Sequence, residues 1–225
     1  MKEPEHAGHR DRLRERLLCG GAESMPDYEL LELLLFGGIP RRDVKPLAKS
    51  LLREFGTLNA VLAAEPERLA RHKGMGRSAV AAIKVVQAAA LRMLKAEVMD
   101  QPILSNWMAV TDYLTAAMAN NKDEQFRLLF VDKKNRLIAD EVQQTGSVDH
   151  TPVYPRKVIE RALNIGATAL ILVHNHPSGD PTPSRDDIEL TRQLVDAGRP
   201  LGVVIHDHVI IARSGHASLK SLGYI

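Results

Sequence analysis

The residues with the most chemical potential lie in one run, His174-Asn175-His176-Pro177-Ser178-Gly179-Asp180-Pro181-Thr182-Pro183-Ser184-Arg185-Asp186-Asp187. Residues two apart on a strand project to the same side, so His174 and His176, delivered by the end of an apolar strand, can chelate a single ion. The loop after them carries prolines and a glycine, which stiffen it and turn it sharply. It returns the chain as a helix whose first turn holds Asp187. Two imidazole nitrogens and one carboxylate leave a fourth zinc position for water, as catalytic rather than structural zinc sites require. One Zn2+ per chain is therefore expected. The chain has a single cysteine, Cys19, which excludes both a thiolate cage and an internal disulfide framework.

The same residues have plainer readings. Ser184 and Asp187 have the spacing of a capping box, and Asp186 and Asp187 complement a helix dipole. A lone histidine at a strand end is usually just hydrogen-bonded. Those readings explain a helix start but not two histidines in register beside it. Amide hydrolysis also needs a base and a proton donor. Glu141, on the second strand of a hairpin, is the expected group, ahead of Asp140. Strand alternation puts these two on opposite faces, so only one can reach the metal. Ser184 offers a hydroxyl to a developing oxyanion. His206-Asp207-His208 forms a second His-x-His, but it lies within a strand with no carboxylate following at a helix start. A structural or supporting role fits it better than direct ligation.

The elements that must position this group follow from periodicity. Residues 169–173 are continuously apolar, as in a strand buried on both faces. Residues 126–131 and 137–142 flank Asp132-Lys133-Lys134-Asn135, a hairpin signal. Helices are expected at 106–119, from Pro155 to about 165, and from Ser184 to Gly198, with a bent strand or strand pair over 203–211. This is an α/β domain over 103–225, with helices packed on a mixed sheet. Residues 1–100 read instead as a small all-α domain. Leu30, Leu31, Leu33, Leu34 and Leu35 make an apolar face that Gly37-Gly38 should break, and Val44, Leu47, Ala48, Leu51 and Leu52 make another, closed by Gly56. Pro66 opens a further helix, and a long one begins near Ser78.

Between these last two helices, the run around Gly74 and Gly76 resembles a helix-hairpin-helix turn, in which the glycines expose backbone N–H groups at a helix N-terminus, a geometry suited to phosphate. Arg68, Arg71, Lys73 and Arg77 surround it, and no acid follows until far along the next helix. A tight interhelical turn with solvated charges is the bland alternative. Gly74-x-Gly76-x-x-Ala79 also fits a loose dinucleotide fingerprint, but a helix precedes it and no strand does, so that match carries nothing. Arg10, Arg12, Arg14 and Arg16 spread around a helix and suggest a solvated surface.

Net charge is only +2, so overall charge does not point to nucleic acid. Residues 1–100 hold 17 Lys/Arg against 14 Asp/Glu, a slight local excess. No stretch is long and apolar enough to span a membrane, and the polar N-terminus has no apolar signal core, which points to a cytoplasmic protein.

The run from His174 to Asp187 resembles the JAMM (MPN+) metallopeptidase motif: an upstream Glu, His-x-His-Pro, then Ser and Asp, with His176, Ser184 and Asp187 at that spacing. Its His-Asn-His-Pro-Ser-Gly-Asp-Pro-Thr-Pro-Ser form, with Val153-Tyr154-Pro155-Arg156 and Asp207-His208, is similar to the bacterial RadC family over the whole chain. The resemblance implies a JAMM/MPN-like, cytidine-deaminase-like layered domain preceded by a helix-hairpin-helix-like one. It implies zinc held by His174, His176 and Asp187, with Glu141 as general acid/base and Ser184 as oxyanion helper.

Two functions follow. One is a zinc hydrolase cleaving a peptide or isopeptide bond in an unidentified peptide or protein substrate, with Gly74, Gly76, Lys73 and Arg77 giving weak, non-specific DNA targeting. The other is a nucleic-acid-associated repair or recombination accessory whose zinc domain is regulatory. A nuclease fits less well, because phosphodiester chemistry usually recruits more carboxylates around two ions.

Overall fold

The computed structural model describes residues 8–103, 105–146 and 153–225. The chain divides into two compact units, Met1–Ala90 and Leu91–Ile225.

The first unit is helical: α1 (His9–Gly20), α2 (Asp27–Gly38), α3 (Lys45–Phe55), α4 (Leu58–Ala63), α5 (Pro66–Arg71) and the N-terminal part of α6 (Arg77–Val98), within which the unit boundary falls. Some of these starts have a local cause. Thr57 caps α4 by accepting from the Ala60 N–H, and Pro66 opens α5, where its missing N–H costs nothing. Leu31, Leu35, Leu51, Leu69 and Ile83 are fully buried in the shared core.

One expectation is sharpened here and one needs correction. Helix α2 does stop at Gly37-Gly38, which are its last two residues. A Cβ on Gly38 would lie 2.5 Å from the Ala79 Cα, so this glycine is there to let two helices touch. The N-terminal arginines are not simply solvated either. Arg10 donates to the Ile39 and Arg42 carbonyls and lies over the Phe36 ring, while Arg16 pairs with Glu29.

The second unit is a five-stranded mixed sheet with helices on both faces, the layered α/β architecture expected. Helix α7 (Trp107–Met118) precedes the hairpin β1 (Glu124–Val131) and β2 (Leu137–Gly146). Then come α8 (Pro155–Asn164), β3 (Ala169–Asn175), α9 (Arg185–Gly198), β4 (Val204–Ala212) and β5 (Gly215–Ser218). Strand order is β2-β1-β3-β4-β5, with only β3 and β4 parallel. The β3–β4 crossover passes through α9, as a parallel pair requires.

Strand alternation divides the core. Leu129, Val131, Ile171 and Val173 face Val110, Leu114 and Met118 of α7. Leu128, Phe130, Leu170 and Leu172 face Val158, Ile159 and Ala162 of α8 and Leu194 of α9. Every residue of β3 is buried, which explains its unbroken apolar sequence. Among the described residues, no helix is long and apolar enough to cross a membrane.

The close approach at Gly38 can be tested by stability. Gly38→Ala should cost about 1–3 kcal/mol by overpacking against backbone. Gly37→Ala, where an added Cβ meets nothing within 4 Å, should leave stability unchanged or raise it by about 0.5–1 kcal/mol. Chemical denaturation of both variants reads the difference, and equal stability would remove the packing role from Gly38.

Candidate metal centre

Strands β1 and β3 run antiparallel with Phe126 opposite His174. Leu170, Leu172 and His174 alternate onto the α8/α9 face, and His176 continues that alternation just past the strand. The His176 N–H still bonds the Ile211 carbonyl of β4, so its backbone remains tied to the sheet. At the other side of the pair, β1 begins with Glu124, two residues before Phe126 and therefore on the same face. The Phe126 ring packs 6.5 Å from that of His174, centre to centre, and forms a wall beside it.

Asp187 arrives from α9. Ser184 is the N-cap: its Oγ accepts from the Asp187 N–H at 3.1 Å, and its own N–H donates to Asp187 Oδ2 at 2.7 Å. The Ser184 hydroxyl also donates to Oδ2 at 2.6 Å. The capping box and the ligand reading of Asp187 are thus compatible, because the box holds the carboxylate while it faces the histidines. Asp187 Oδ1 lies 3.1 Å from His174 Nε2, and Oδ2 lies 3.5 Å from His176 Nε2. The two Nε2 atoms are 2.9 Å apart.

Burial opposes ionisation of Asp187, but hydrogen bonds from His174, His176 and Ser184 outweigh it and hold the carboxyl far below the usual range. The bond to Asp187 raises the pKa of His176, against the cost of burial. The donor set has the chemistry of a metal site: the three groups offer ligand atoms within 4.8 Å of one another. Orientation supports this. His176 Nδ1 lies 2.9 Å from the Asp180 carbonyl, which can only accept. Nδ1 therefore carries a hydrogen in either protonation state, so Nε2 holds a proton toward Asp187 when the ring is charged and is bare when the ring is neutral. Such convergence of lone pairs is repulsive unless a cation, proton or metal, sits among them. The loop that supplies Asp180 is itself fastened, with Arg213 donating to the Pro177 and Ser178 carbonyls and Ser214 to that of Gly179.

Glu141 does not join this group. It stands opposite Leu128, four residues along β1 from Glu124, or about 13 Å at strand spacing. Its carboxylate accepts from Arg161 of α8 at 2.5 and 3.1 Å, and that bond depresses its pKa. Asp140 faces the opposite side, as alternation requires, and accepts from Tyr113 and Arg127. Burial is the main reason the Tyr113 phenol is pushed up to about 12.

The carboxyl beside the cluster is Glu124. Burial raises its pKa, Asp187 raises it further, and the charges of His174 and His176 offset part of that rise. The sequence reading missed it. Its only mark was an acid at the head of the hairpin's first strand, and nothing local says that this strand lies next to the one bearing the histidines. His208, fully buried, sits behind His174 with its Nε2 2.7 Å from His174 Nδ1; burial holds its pKa well below the ordinary value. His206 instead meets Asn135 at 3.1 Å.

In the first unit, the turn between α5 and α6 holds Gly74 at φ 99°, with its carbonyl bound by Arg42. Lys73, Gly76 and Arg77 are exposed. The expectation of no nearby acid fails for part of the turn, because Glu54 of α3 meets His72 at 2.5 Å and Arg68 at 4.0 Å.

A mixed sheet with helices on both faces, carrying a His-x-His pair at one strand end and an aspartate from the next helix, defines a domain of the JAB/MPN class. Residues 103–224 match the RadC-like JAB domain family, and residues 5–81 match the UPF0758 N-terminal family. A UPF0758 protein from Rhodobacter capsulatus is 55% identical over 213 residues, covering 95% of this chain and 100% of the relative. The chain belongs to the RadC-like (UPF0758) family.

The double use of Ser184 predicts a stability effect separable from any metal. In chelator-treated protein, Ser184→Ala should cost about 1 kcal/mol through the lost cap. Ser184→Thr should retain most of it. Denaturant midpoints check this, and an unchanged midpoint for the alanine variant would show that the cap contributes nothing.

Proposed function

We propose that this protein is a zinc-dependent hydrolase of JAMM type that cleaves a peptide or isopeptide bond. The observation carrying this reading is the convergence of His174 Nε2, His176 Nε2 and the Asp187 carboxylate on one point, beside a carboxyl of raised pKa at Glu124. Bound by those three residues, zinc would supply a Lewis acid and an acidified water, whose pKa falls toward ~7. Glu124 takes the place first expected of Glu141. A carboxyl whose pKa is raised is a stronger base than an ordinary carboxylate, suited to accept the proton of an attacking water and return it to the leaving amine. Asp187 is kept ionised by its neighbours and so remains a ligand rather than a competing acid. Ser184 donates its one hydroxyl hydrogen to Asp187 Oδ2, so it would steady a developing oxyanion only by turning that hydrogen away from the carboxylate.

Elemental analysis of the purified protein should find about one zinc per chain, lost in Asp187→Ala. Glu124→Gln should keep zinc and lose about 10²–10⁴-fold in hydrolytic rate on any cleavable peptide or isopeptide found by substrate profiling. Glu141→Gln should keep both. Zinc-free wild-type protein with full turnover would defeat the reading, and full activity in Glu124→Gln would move the base elsewhere.

The second reading, nucleic-acid association, draws on the turn between α5 and α6, a helix-hairpin-helix-like feature with Lys73 and Arg77 exposed beside Gly74 and Gly76. Backbone N–H groups and these cations suit a phosphate without reading bases. The full chain should bind duplex DNA at low salt, without sequence preference, with affinity falling as salt rises. Lys73→Ala/Arg77→Ala should flatten that salt dependence. No binding at low salt would reduce the turn to architecture.

A further inference from the structure

His208 and Thr191 lie outside the ligand set, and both are fully buried. They form a chain behind His174 in which the direction of each hydrogen bond can be worked out. Thr191 Oγ1 lies 2.5 Å from the backbone carbonyl of Asp187, one helical turn earlier in α9. It also lies 2.6 Å from His208 Nδ1. A hydroxyl has one hydrogen, and a carbonyl oxygen can only accept. Thr191 therefore donates to the Asp187 carbonyl, and His208 Nδ1 must donate to Thr191. A histidine buried without a carboxylate partner is neutral, so His208 carries no second hydrogen and its Nε2 is an acceptor. That atom faces His174 Nδ1 at 2.7 Å. His174 must then donate through Nδ1, which leaves Nε2 as a bare lone pair directed at His176 and Asp187.

We propose that Thr191 and His208 form a directional relay that fixes His174 in the Nδ1–H tautomer and so presents Nε2 as a metal ligand. This rests on the metal-site reading above for its purpose, though not for its geometry. Both are positioning residues, since neither reaches the point where the ligand atoms converge. The relay also joins the two elements that supply ligands. It starts at the Asp187 carbonyl on α9, crosses to β4 at His208, and ends on β3 at His174, so the orientation of one ligand is set by the backbone of another. A threonine bonding back to the carbonyl four residues earlier normally weakens a helix slightly. Here that bond uses up the one hydroxyl hydrogen and so sets the polarity of the chain.

The test uses the full chain and two readouts. In 15N-labelled, metal-free protein at mildly alkaline pH, long-range 1H–15N spectra should show the His174 hydrogen on Nδ1 and a bare Nε2. A hydrogen on Nε2 in the wild type would overturn the proposal, and this measurement needs no variant to fold. Thr191→Val removes the hydroxyl at similar shape. It should relax the tautomer preference and weaken zinc binding about 10–100-fold in competition with a chromogenic chelator. Thr191→Ser should restore both. Unchanged zinc affinity in Thr191→Val, or an equal loss in Thr191→Ser, would overturn the relay in favour of packing. Wild-type protein that binds no zinc yet shows the Nδ1–H tautomer would sink the hydrolase reading and leave the relay standing.

Discussion

The antiparallel register of β1 against β3 is the constraint on which the second unit depends. With Phe126 opposite His174, one face of the pair presents Leu128, Leu172, Phe130 and Leu170 to α8 and α9. The same parity carries His174, His176 and Glu124 to the end of that face. A shift of one residue would invert every one of these side chains, exchanging core for solvent and taking Glu124 away from the histidines. Register is therefore specified by burial: β3 is enclosed on both sides, and the two apolar faces it separates have different partners. The chemistry at the strand end inherits a geometry already fixed by the packing of leucines and phenylalanines.

Onto that edge α9 brings a carboxylate with little freedom of its own. Its N-cap bonds, the hydroxyl of Ser184 and the backbone N–H of Ser184 all converge on Asp187. An aspartate in a first helical turn is already favoured as an anion by the helix dipole, typically by a few tenths to ~1 kcal/mol. The histidines add to this, against the cost of burial, so the carboxylate stays charged where an isolated buried acid would be protonated. The neighbouring Glu124 shows the converse balance: burial and the Asp187 charge push it up, and the histidines only partly compensate. Two carboxyls in one site thus acquire different protonation behaviour from their surroundings, which is the usual basis for dividing ligand and proton-transfer roles.

What could be read from the sequence, and what could not, follows the range of the interactions involved. The His-x-His pair, the capping-box spacing and the apolar run before them are local patterns, and the structure brings His174, His176 and Asp187 together as that spacing implied. The mixed sheet with its helices was equally legible, since periods of two and of three to four residues change clearly along the chain. The base was not. Choosing Glu141 relied on its place in a hairpin, whereas what decides proximity is which hairpin strand lies beside β3, a non-local pairing that no short window encodes. Gly37-Gly38 was half legible for a similar reason. As a dipeptide it marks the end of α2, but the backbone of Ala79, some forty residues later, is what requires a glycine at position 38. Glu54 beside His72 and Arg68 is a third case, invisible to a reading that looked for acids only along the turn itself.

The two carboxylates of β2 lie away from the cluster and have partners of their own. Asp140 is almost wholly enclosed, yet it is tied to Lys95, Arg127 and Tyr113 on the α7 face. Glu141 is on the same face as His174 and His176 but is held by the forked guanidinium of Arg161, which depresses its pKa. A charge-assisted partner of this kind stabilises the Glu141 anion and makes it a weak base. Glu124 differs in having its pKa raised by burial and by another acid, with only the site's own histidines acting in the other direction. If a cation sits among those histidines and Asp187, its charge would draw Glu124 toward the ionised form, ready to accept a proton, and loss of the cation would return it toward the neutral form. Glu124 and the His174–His176–Asp187 cluster are therefore coupled electrostatically as well as by strand register, so a substitution at either should alter the proton affinity of the other.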